Sequence, residues 1–284
     1  MKVLITGIHG FTGRHLEKEL RDNGHDVVGL KSDLLDFDAI NKEIELCKPE
    51  AVVHLAAQSF AHDQNIQKIY DVNVIGSCNL LGALYQSAPN VRSVLLASSA
   101  TVYGNSTSNP ISENSPLDPP NDYAVSKLSM EYMAKLWFQK LPIFMVRPFN
   151  YTGLGQKEHF LIPKIVAHFN KKIPIIELGN IDVWREFGDV RSVVNIYGKM
   201  LLNPPIHQTI NICTGQIYSL KDVMSMCQEI TNHTIKIVIN PAFVRQNEIR
   251  ELRGDPRTLG ELFPNLPSCS LKETLRWMLK HHQQ

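Results

Sequence analysis

The sequence lacks the charge excess and the long apolar run that mark several classes of protein. Lysine plus arginine (29) nearly cancel aspartate plus glutamate (28), which leaves a net charge of +1. This balance argues against a nucleic-acid-binding surface or a polybasic membrane contact. No apolar run approaches the roughly 20 residues that a membrane span requires. We therefore expect no nucleic-acid partner and no membrane anchor.

Cysteine pairs, metal-ligand spacings and a signal peptide are also missing. The five cysteines form no Cys-x-x-Cys motif, and they are Cys47, Cys78, Cys213, Cys227 and Cys269. Their odd number and scatter predict reduced thiols in a cytoplasmic protein. The histidines show no metal-ligand spacing, so we predict no metal site. The N-terminal MKVLITG is too short for a signal peptide and runs directly into a glycine motif.

The first half of the chain alternates short apolar runs with helical patterns. The runs predict strands at 2–6, 26–30, 51–55, 93–98 and 143–148. The segments between them predict helices at 11–23, 36–47, 64–87 and 123–139. Continuous apolar strands separated by helices are typical of a parallel sheet covered on both faces. We therefore predict a doubly wound, Rossmann-type α/β fold.

The alternation loosens after Arg147, where Gly, Pro, Asn and charged residues separate shorter elements. A strand at 208–213 and a helix near 219–230 are predicted to return to the main sheet. These patterns predict a dinucleotide-binding domain at 1–150, joined by 190–230. The remaining segments, 151–189 and 231–284, are predicted to form a smaller substrate-binding lobe.

The stretch TGIHGFTG follows the first predicted strand and opens the first helix. In Gly-x-x-Gly-x-x-Gly, Gly7 permits a tight turn, Gly10 lets the backbone approach a pyrophosphate and Gly13 lets the helix pack closely on the sheet. The amides and positive dipole of the helix N-terminus then favour phosphate binding. Because the motif stands at the start of a βαβ unit, it predicts a nicotinamide dinucleotide site rather than a structural turn.

The end of the second strand bears on which nicotinamide nucleotide binds. NAD-specific sites place a carboxylate there to bind the ribose 2′-OH, but this chain has Lys31, and Asp33 lies beyond the strand. Arg14 follows the glycine loop, and two cations would favour a 2′-phosphate. These residues predict that NADP(H) is preferred or that NADP(H) and NAD(H) are both used. The alternative is that Arg14 and Lys31 are solvated surface charges.

SSATVYG, at 98–104, precedes NDYAVSK, at 121–127. Tyr123 and Lys127 are four residues apart on a predicted helix and so share one face. The ammonium lowers the pKa of the phenol, which lets tyrosine exchange a proton near neutral pH. Ser99 would bind the substrate oxygen. We predict Ser99, Tyr123 and Lys127 as the catalytic residues, with Ser98 as a possible substitute for Ser99.

The same residues have plainer explanations. Tyr-x-x-x-Lys on a helix is often a packed ring and a solvated amine, and Tyr103 is either structural or in contact with substrate. A protein that binds a dinucleotide without turnover would also keep the glycine loop. That alternative is disfavoured, because a binding protein has no need of serine, tyrosine and lysine together.

Motifs along almost the whole chain resemble the extended short-chain dehydrogenase/reductases that act on nucleotide sugars. They are TGIHGFTG, DLLD, HLAAQS, VNVIGSCNLL, SSATVYG, YAVSK, RPFNYTGLGQ, GNIDVWREFGDV and GDP. The combination is most similar to the GDP-mannose 4,6-dehydratase and GDP-6-deoxy-D-mannose reductase branch. The resemblance implies a GDP-linked sugar substrate and a homodimer formed by the helices near 64–87 and 123–140.

The resemblance also implies contacts for cofactor and substrate. Besides Tyr123 and Lys127, the expected cofactor-binding residues are Gly7, His9, Gly10, Phe11, Thr12, Gly13, Arg14, Lys31, Asp33, Leu34, Leu55, Ala56, Ala57 and Pro148. The expected substrate-binding residues are Ser99, Thr101, Asn150, Lys164, Arg185, Arg245 and Glu248. For the two arginines, surface pairing with Glu186 and Glu248 is the alternative.

Departures from the family patterns narrow the reaction. Dehydratases of the branch carry an acid two positions after the catalytic hydroxyl, where this chain has Thr101. The family's epimerising reductases have cysteine and histidine where this chain has Ala100 and Phe160, although His159 is adjacent. We therefore expect reduction of the C4 ketone of a GDP-4-keto-6-deoxyhexose. The alternatives are a reductase or 4-epimerase of a TDP-, CDP- or UDP-linked sugar, or a GDP-mannose 4,6-dehydratase.

Overall fold

The computed structural model describes residues 1–58, 65–243 and 249–281. They divide into two compact units. The first unit comprises 1–104, 116–148 and 194–212, and the second comprises 105–115, 149–193 and 213–284. Among the described residues, no helix combines the length and the apolar character that a bilayer crossing demands.

The first unit is built on a six-stranded parallel sheet. Its strands are β1 (Lys2–Thr6), β2 (Asp26–Gly29), β3 (Ala51–His54), β4 (Ser93–Ala97), β5 (Ile143–Pro148) and β10 (Thr209–Ile212). They stand in the order β10-β5-β4-β3-β1-β2, and the direction in which the chain adds strands reverses between β1 and β3, as in a doubly wound fold. The carboxyl ends of the strands therefore share one edge, which is where such sheets bind ligands.

Helices follow the strands of this sheet. They are α1 (Phe11–Asp22), α2 (Phe37–Cys47), α3 (Ile66–Tyr70), α4 (Gly76–Ser87) and α5 (Asp122–Lys135). The predicted helix near 64–87 is interrupted by a π-helical turn at Asp71–Ile75, and its residue 64 lies outside the described residues. Leu80, Leu84 and Met130 are fully buried in one core cluster with the sheet. Packing, rather than subunit contact, therefore accounts for these three apolar residues.

The second unit contains short strands and four helices of its own within the described ranges. The strands are β6 (Tyr151–Thr152), β7 (Ile175–Leu178), β8 (Trp184–Arg185), β9 (Gly188–Asp189), β11 (Tyr218–Ser219), β12 (Lys236–Ile239) and β13 (Glu251–Leu252). They form the small sheets β11-β8-β13, β12-β7 and β6-β9. The helices are α6 (Leu161–Asn170), α8 (Leu220–Thr231), α9 (Arg257–Leu262) and α10 (Leu271–His281). A further helix, α7 (Val190–Leu202), has residues in both units.

The observed division differs from the predicted domains in two places. We predicted that 190–230 returns to the main sheet, but only 194–212 does so. The apolar face of α8, with Leu220, Val223 and Cys227, is buried in a core cluster with α6 and α10, so α8 belongs to the second unit. Residues 105–115 also belong there, because Ile111 exchanges backbone hydrogen bonds with Arg253 and Asp255.

Candidate active site

The glycine loop between β1 and α1 is a close-packed turn with no room for a side chain at Gly7 or Gly13. Gly7 has a φ of +71°, and a Cβ there would lie 2.9 Å from the Ala56 amide nitrogen. A Cβ on Gly13 would lie 2.3 Å from the Gly7 carbonyl oxygen. No side chain caps α1 at Gly10, and a helix N-terminus favours an anion. The loop therefore fits the pyrophosphate of a dinucleotide.

Glu43 of α2 organises the segment that follows β2. Its carboxylate accepts hydrogen bonds from the amides of Lys31 and Ser32, both at 2.9 Å, and from Ser32 Oγ at 2.6 Å. Burial raises the pKa of the Glu43 carboxyl, but these hydrogen bonds and the Lys31 charge outweigh burial and leave the pKa below its ordinary value. Sequence reasoning missed Glu43, because its partners lie on the preceding loop rather than beside it in the chain.

The other predicted cofactor-binding residues of the first unit lie around the ends of its strands. The exposed ones are His9, Arg14, Lys31 and Asp33. The half-buried ones are Phe11, Thr12, Leu55, Ala56, Ala57 and Pro148. Leu34 differs from these, since its side chain is buried in the core and its carbonyl accepts a hydrogen bond from Asn79. Asp33 Oδ1 accepts the Leu35 amide at 3.0 Å and so shapes the turn before α2.

Ser99 follows β4 and caps the 3₁₀ turn formed by residues 100–103. Ser99 Oγ accepts two hydrogen bonds, from the Thr101 hydroxyl at 2.8 Å and from the Thr101 amide at 3.2 Å. Because a hydroxyl oxygen has two lone pairs and one hydrogen, both lone pairs are engaged. Ser99 is thereby arranged to donate its own hydrogen to a further acceptor. The neighbouring Ser98 is buried, and its Oγ has no hydrogen-bond partner among the described residues.

Tyr123 and Lys127 lie in the first two turns of α5, which begins after the Asn121 cap. Tyr123 is half-buried, whereas Lys127 is buried and its Nζ donates to the Ala97 carbonyl at 2.8 Å. Burial lowers the pKa of the Lys127 ammonium to about 8, while the negative charge of Glu131 opposes that effect. The lysine therefore remains mostly charged at neutral pH.

A second buried charge cluster lies one turn further along α5. Glu131 forms a two-fold ion pair with Arg147, at 2.9 Å to Nε and 2.6 Å to Nη2. Arg147 Nη1 donates to the Tyr103 hydroxyl at 2.8 Å, and that hydroxyl donates to Asn211 at 2.7 Å. Tyr103 is fully buried, which supports the structural explanation for this residue. Sequence reasoning missed Glu131, although its place four residues after Lys127 is a usable signal.

The π-helical turn before α4 carries a third residue that sequence reasoning missed. Asn73 is fully buried, and its side chain contacts Gln58 and Ser126. The Asn73 amide group accepts from the Gln58 backbone N–H at 2.8 Å and donates to Ser126 Oγ at 2.9 Å. Ser126 Oγ in turn donates to the Tyr123 carbonyl. Asn73 therefore connects the segment after β3 to the first turns of α5.

Three predicted substrate-binding residues lie in the second unit. Asn150 is exposed, and its carbonyl accepts the Gly188 amide at 2.8 Å. Lys164 of α6 donates to the Glu177 carbonyl at 2.7 Å and lies over the Phe243 ring. Arg185 donates to the carbonyls of Trp184, Ile249 and Arg250. The predicted residues Arg245 and Glu248 lie outside the described residues.

Glu186, which we considered as a surface partner for Arg185, is buried and serves a different purpose. Its Oε2 accepts the amides of Thr214 and Gly215, at 2.6 and 3.2 Å, and the Thr214 hydroxyl at 3.0 Å. Its Oε1 accepts the Gly254 amide at 2.5 Å. Burial raises the pKa of the Glu186 carboxyl, and the amide hydrogen bonds only partly counter this. Glu186 therefore joins three segments of the second unit.

Comparison with known proteins identifies the wider group. The model of the NAD dependent epimerase/dehydratase family matches residues 3–213. GDP-6-deoxy-D-talose 4-dehydrogenase of Aggregatibacter actinomycetemcomitans is 37% identical over 93% of this chain and 92% of that protein. GDP-6-deoxy-D-mannose reductase of Pseudomonas aeruginosa is 31% identical over 98% of this chain and 96% of that protein.

A solved structure agrees with these relatives. RMD from Pseudomonas aeruginosa, complexed with NADPH, superposes with a TM-score of 0.89 at 29% identity, covering 98% of both chains. The agreement confirms the predicted Rossmann-type fold and the resemblance to short-chain dehydrogenase/reductases. It also supports the prediction of an NAD(P)-dependent oxidoreductase. This chain belongs to the NAD dependent epimerase/dehydratase family.

Proposed function

We propose that the protein reduces the C4 ketone of a GDP-linked 4-keto-6-deoxyhexose, using hydride from a nicotinamide dinucleotide. Two relatives that align over more than nine-tenths of each chain are named for GDP-6-deoxyhexoses, one as a 4-dehydrogenase and one as a reductase. Dehydrogenation and reduction at one carbon are the two directions of a single hydride transfer. The product, a GDP-6-deoxyhexose of rhamnose or talose type, suits the supply of surface-polysaccharide precursors.

The arrangement of Ser99 is the observation that carries the proposal. With both lone pairs taken by Thr101, the Ser99 hydroxyl acts on the substrate as a donor. A donor beside the reacting carbon stabilises the oxygen of a ketone as it gains negative charge, and this effect is larger in a site without bulk water. Ser99 therefore suits carbonyl reduction better than it suits the removal of a proton.

Tyr123 supplies the proton that completes the alcohol. The buried ammonium of Lys127, held by the Ala97 carbonyl, would stabilise the phenolate that remains once Tyr123 has given up its proton. The glycine loop and α1 would hold the pyrophosphate of the cofactor. When bound, the nicotinamide supplies the hydride, while the protein orients the ketone and Tyr123 donates the proton.

Thr101 argues against elimination of water. Its hydroxyl donates to Ser99 at 2.8 Å, and a threonine there offers no carboxylate to remove a sugar proton. Ala100 and Phe160 likewise provide no acid or base for epimerisation. Purification offers a further check, because a 4-epimerase retains its nicotinamide through turnover whereas a reductase exchanges it. We expect the purified protein to release its dinucleotide on gel filtration.

The preferred cofactor is proposed to be NADPH, with use of NADH as well. Lys31 is exposed beside the glycine-loop strand, and the nearby carboxylates of Asp33 and Glu43 are engaged by backbone amides. The ratio of kcat/KM for NADPH to that for NADH tests this. Lys31→Ala should lower the ratio about tenfold, as expected for one lost charge-assisted contact, whereas the exposed Lys42→Ala should not. A strong NADH preference in the wild type would overturn the assignment.

On the substrate side, the GDP group is proposed to contact Asn150, Lys164, Arg185, Arg245 and Glu248. Guanidinium forks suit diphosphate oxygens, and the amide of Asn150 can donate to a phosphate. Thr101 is proposed to adjoin the sugar through its position beside Ser99.

The protein is further proposed to be cytoplasmic and a homodimer. Exposed Ile75, Tyr85 and Leu136 leave an apolar surface on the helices concerned, and Leu136→Glu should convert the dimer to a monomer in light scattering.

The central experiment is one incubation with GDP-4-keto-6-deoxymannose and NADPH, followed by absorbance at the nicotinamide band and by NMR of the product. Tyr123→Phe should reduce kcat about 10²- to 10⁴-fold, the usual contribution of a proton donor, and leave cofactor affinity nearly unchanged. Tyr132→Phe, on the exposed side of the same helix, is the matched control. A Tyr123→Phe variant that keeps the wild-type rate would show the proton-transfer assignment to be wrong.

A further inference from the structure

A continuous chain of buried hydrogen bonds runs through His54 at the end of β3. Thr6 Oγ1 lies 2.6 Å from His54 Nδ1, and Ser77 Oγ lies 2.8 Å from His54 Nε2. Ser77 Oγ also lies 2.7 Å from the Asn73 carbonyl oxygen. All four residues are at most 1% exposed. Buried polar groups of this kind hold their geometry, because any unpaired member would carry the full cost of desolvation.

The partners at the two ends fix the direction of each bond. A carbonyl oxygen can only accept, so Ser77 donates its single hydrogen to Asn73 and must accept from His54 Nε2. His54 is then protonated at Nε2, and its Nδ1 accepts from the Thr6 hydroxyl. Thr6 Oγ1 in turn accepts the Ala56 amide at 3.1 Å. The neutral imidazole satisfies these hydrogen bonds in one tautomer only, because a ring protonated on both nitrogens would leave the Thr6 hydroxyl hydrogen with no acceptor among them.

The charge surroundings keep the ring neutral. Burial lowers the pKa of His54 to about 3, and the positive charge of Lys127 lowers it in the same direction. Burial is the larger of these two effects on the pKa of His54. A neutral ring has one donor and one acceptor, which is what Ser77 and Thr6 require.

One end of this series of hydrogen bonds lies at the glycine loop that would hold the cofactor. Thr6 directly precedes Gly7, and its carbonyl accepts the Leu55 amide at 3.3 Å. The bond from the Ala56 amide to Thr6 holds the same backbone that a Gly7 side chain would strike. The distance between the ends of β1 and β3 is therefore fixed by Thr6, and Thr6 is fixed by His54.

The other end meets the proton-transfer residues. Ser77 anchors the carbonyl of Asn73 inside the π-helical turn. The side chain of Asn73 donates to Ser126, which lies between Tyr123 and Lys127 on α5 and donates to the Tyr123 carbonyl. A shift of the π-helical turn would therefore move the hydrogen-bond partner of the segment that carries Tyr123 and Lys127.

We propose that His54 is a positioning residue that holds the glycine loop and the Tyr123–Lys127 segment in one geometry through Thr6 and Ser77. It contacts neither substrate nor cofactor in this account. The inference rests on the proposed function, because it assigns a role in placing the proton donor relative to the dinucleotide. It predicts that the hydrogen bond from His54 to Thr6 controls cofactor binding and that the hydrogen bond from His54 to Ser77 controls turnover.

Variants of Thr6 and of Ser77 test the two hydrogen bonds of His54 separately. Thr6→Val removes the hydroxyl but keeps the shape, and it should weaken NADPH binding about tenfold in a fluorescence titration, as expected for one buried hydrogen bond. Ser77→Ala should leave that affinity within twofold and lower kcat about tenfold. Thr6→Ser retains the hydroxyl and should restore the affinity. Ser93→Ala is the matched control, because Ser93 is a buried serine whose Oγ has no partner among the described residues.

A merely structural role gives a different result. If Thr6→Val and Ser77→Ala lower Tm but leave both the NADPH affinity and kcat of the folded protein at wild-type values, the proposal is wrong. It is equally wrong if both variants change affinity and kcat by the same factors, or if Ser93→Ala matches either of them.

The protonation state of His54 is measured on the wild-type protein, and a variant is needed only to assign the signals. Nitrogen-15 NMR of the histidines, with the His54 signals assigned by their loss in His54→Asn, should show a neutral ring protonated at Nε2 from pH 5 to 9. A ring protonated at Nδ1, or a charged ring at pH 7, would overturn the proposal. Neither the NMR nor the NADPH titration uses a sugar, so failure to reduce GDP-4-keto-6-deoxymannose would refute the proposed function alone.

Discussion

The two compact units bury carboxylates in different surroundings. In the first unit, Glu131 pairs with the guanidinium of Arg147 and lies one helical turn from the buried ammonium of Lys127. In the second unit, Glu186 binds three backbone amides and one hydroxyl and has no cation among these contacts. The first carboxylate balances charge beside the candidate catalytic residues, and the second joins loops.

The comparison shows that a buried carboxylate can either balance a buried cation or join segments of backbone. A buried ion pair contributes little net stability over an apolar replacement, but breaking it leaves one uncompensated charge. Burial disfavours the charged form of Glu186 and raises its pKa, and the hydrogen bonds from the backbone amides offset this only in part. We therefore expect substitutions at the two sites to differ in size, in pH dependence and in their effect on turnover.

The largest effect is expected from Glu131→Ala. The variant strands the Arg147 guanidinium, which is 5% exposed, and should lower the free energy of unfolding by about 3 to 5 kcal/mol. Urea denaturation at pH 7 measures this, with the exposed Glu45→Ala as the control within about 0.5 kcal/mol of wild type. A loss no larger than that of the control would mean that the pair is not the electrostatic centre of the first unit.

Glu186→Gln should cost less, about 1 to 3 kcal/mol at pH 7, because an amide cannot accept on both of its terminal atoms. The folded pKa of Glu186 lies above its unfolded value of 4.5. Its proton therefore contributes stability that is complete below pH 4.5 and is lost as pH rises through the folded pKa.

The Glu186→Gln variant has no such titration, so its deficit relative to wild type should narrow as pH rises above 4.5. Urea denaturation across pH 4 to 8 tests this, with the exposed Glu261→Gln as the control. A deficit that grows with pH would indicate that the charged carboxylate is the form preferred by the fold, as in an ion pair, and the contrast with Glu131 would disappear.

Turnover should depend on pH through the first unit alone. The pKa of Lys127, about 8 in the folded protein, predicts that kcat/KM for reduction falls about tenfold per pH unit above this value. Lys127→Arg keeps a cation and should move the fall to higher pH. Because the folded pKa is below the unfolded 10.5, stability should rise between these values. Glu186→Gln should leave the activity profile unchanged, and a shift of that profile would contradict the separation of roles.

The smallest effect is expected from Arg185→Ala in the second unit. Its guanidinium donates to backbone carbonyls at 249 and 250, and we expect a loss of about 1 kcal/mol in the free energy of unfolding. The exposed Arg276→Ala is the control. Under the proposed function KM for the GDP-sugar should also rise, and an unchanged KM would restrict Arg185 to joining strands.

The sequence was a good guide to the first unit because its signals are local. The apolar runs at 2–6 and 143–148 coincide with β1 and β5, and a buried parallel strand needs little more than such a run. The pattern for a helix near 64–87 was less complete. Apolar spacing continues through Asp71–Ile75, but the backbone there is π-helical, which a periodicity of 3.6 does not reveal.

Residues whose partners are distant in the chain could not be predicted. The partners of Glu186 are amides 28, 29 and 68 positions away, and those of His54 are Thr6, 48 positions before it, and Ser77, 23 positions after it. The second unit was also harder to delimit, because α8 has an amphipathic pattern that fits the main sheet equally well. Its actual neighbours, α6 and α10, determine where it lies.

The π-helical turn at Asp71–Ile75 limits where the chain can lose a residue. A π turn accommodates one residue more than an α turn between bonded groups. Removing that extra residue would leave an ordinary helix whose faces on either side of the turn keep their directions, whereas removing a residue between the turn and Leu80 would rotate everything after it by about 100° relative to what precedes it. Leu80 and Leu84 would then leave the core. In related chains, the loss of one residue should be tolerated in this turn far better than between the turn and Leu80, provided that the buried Asn73 is kept.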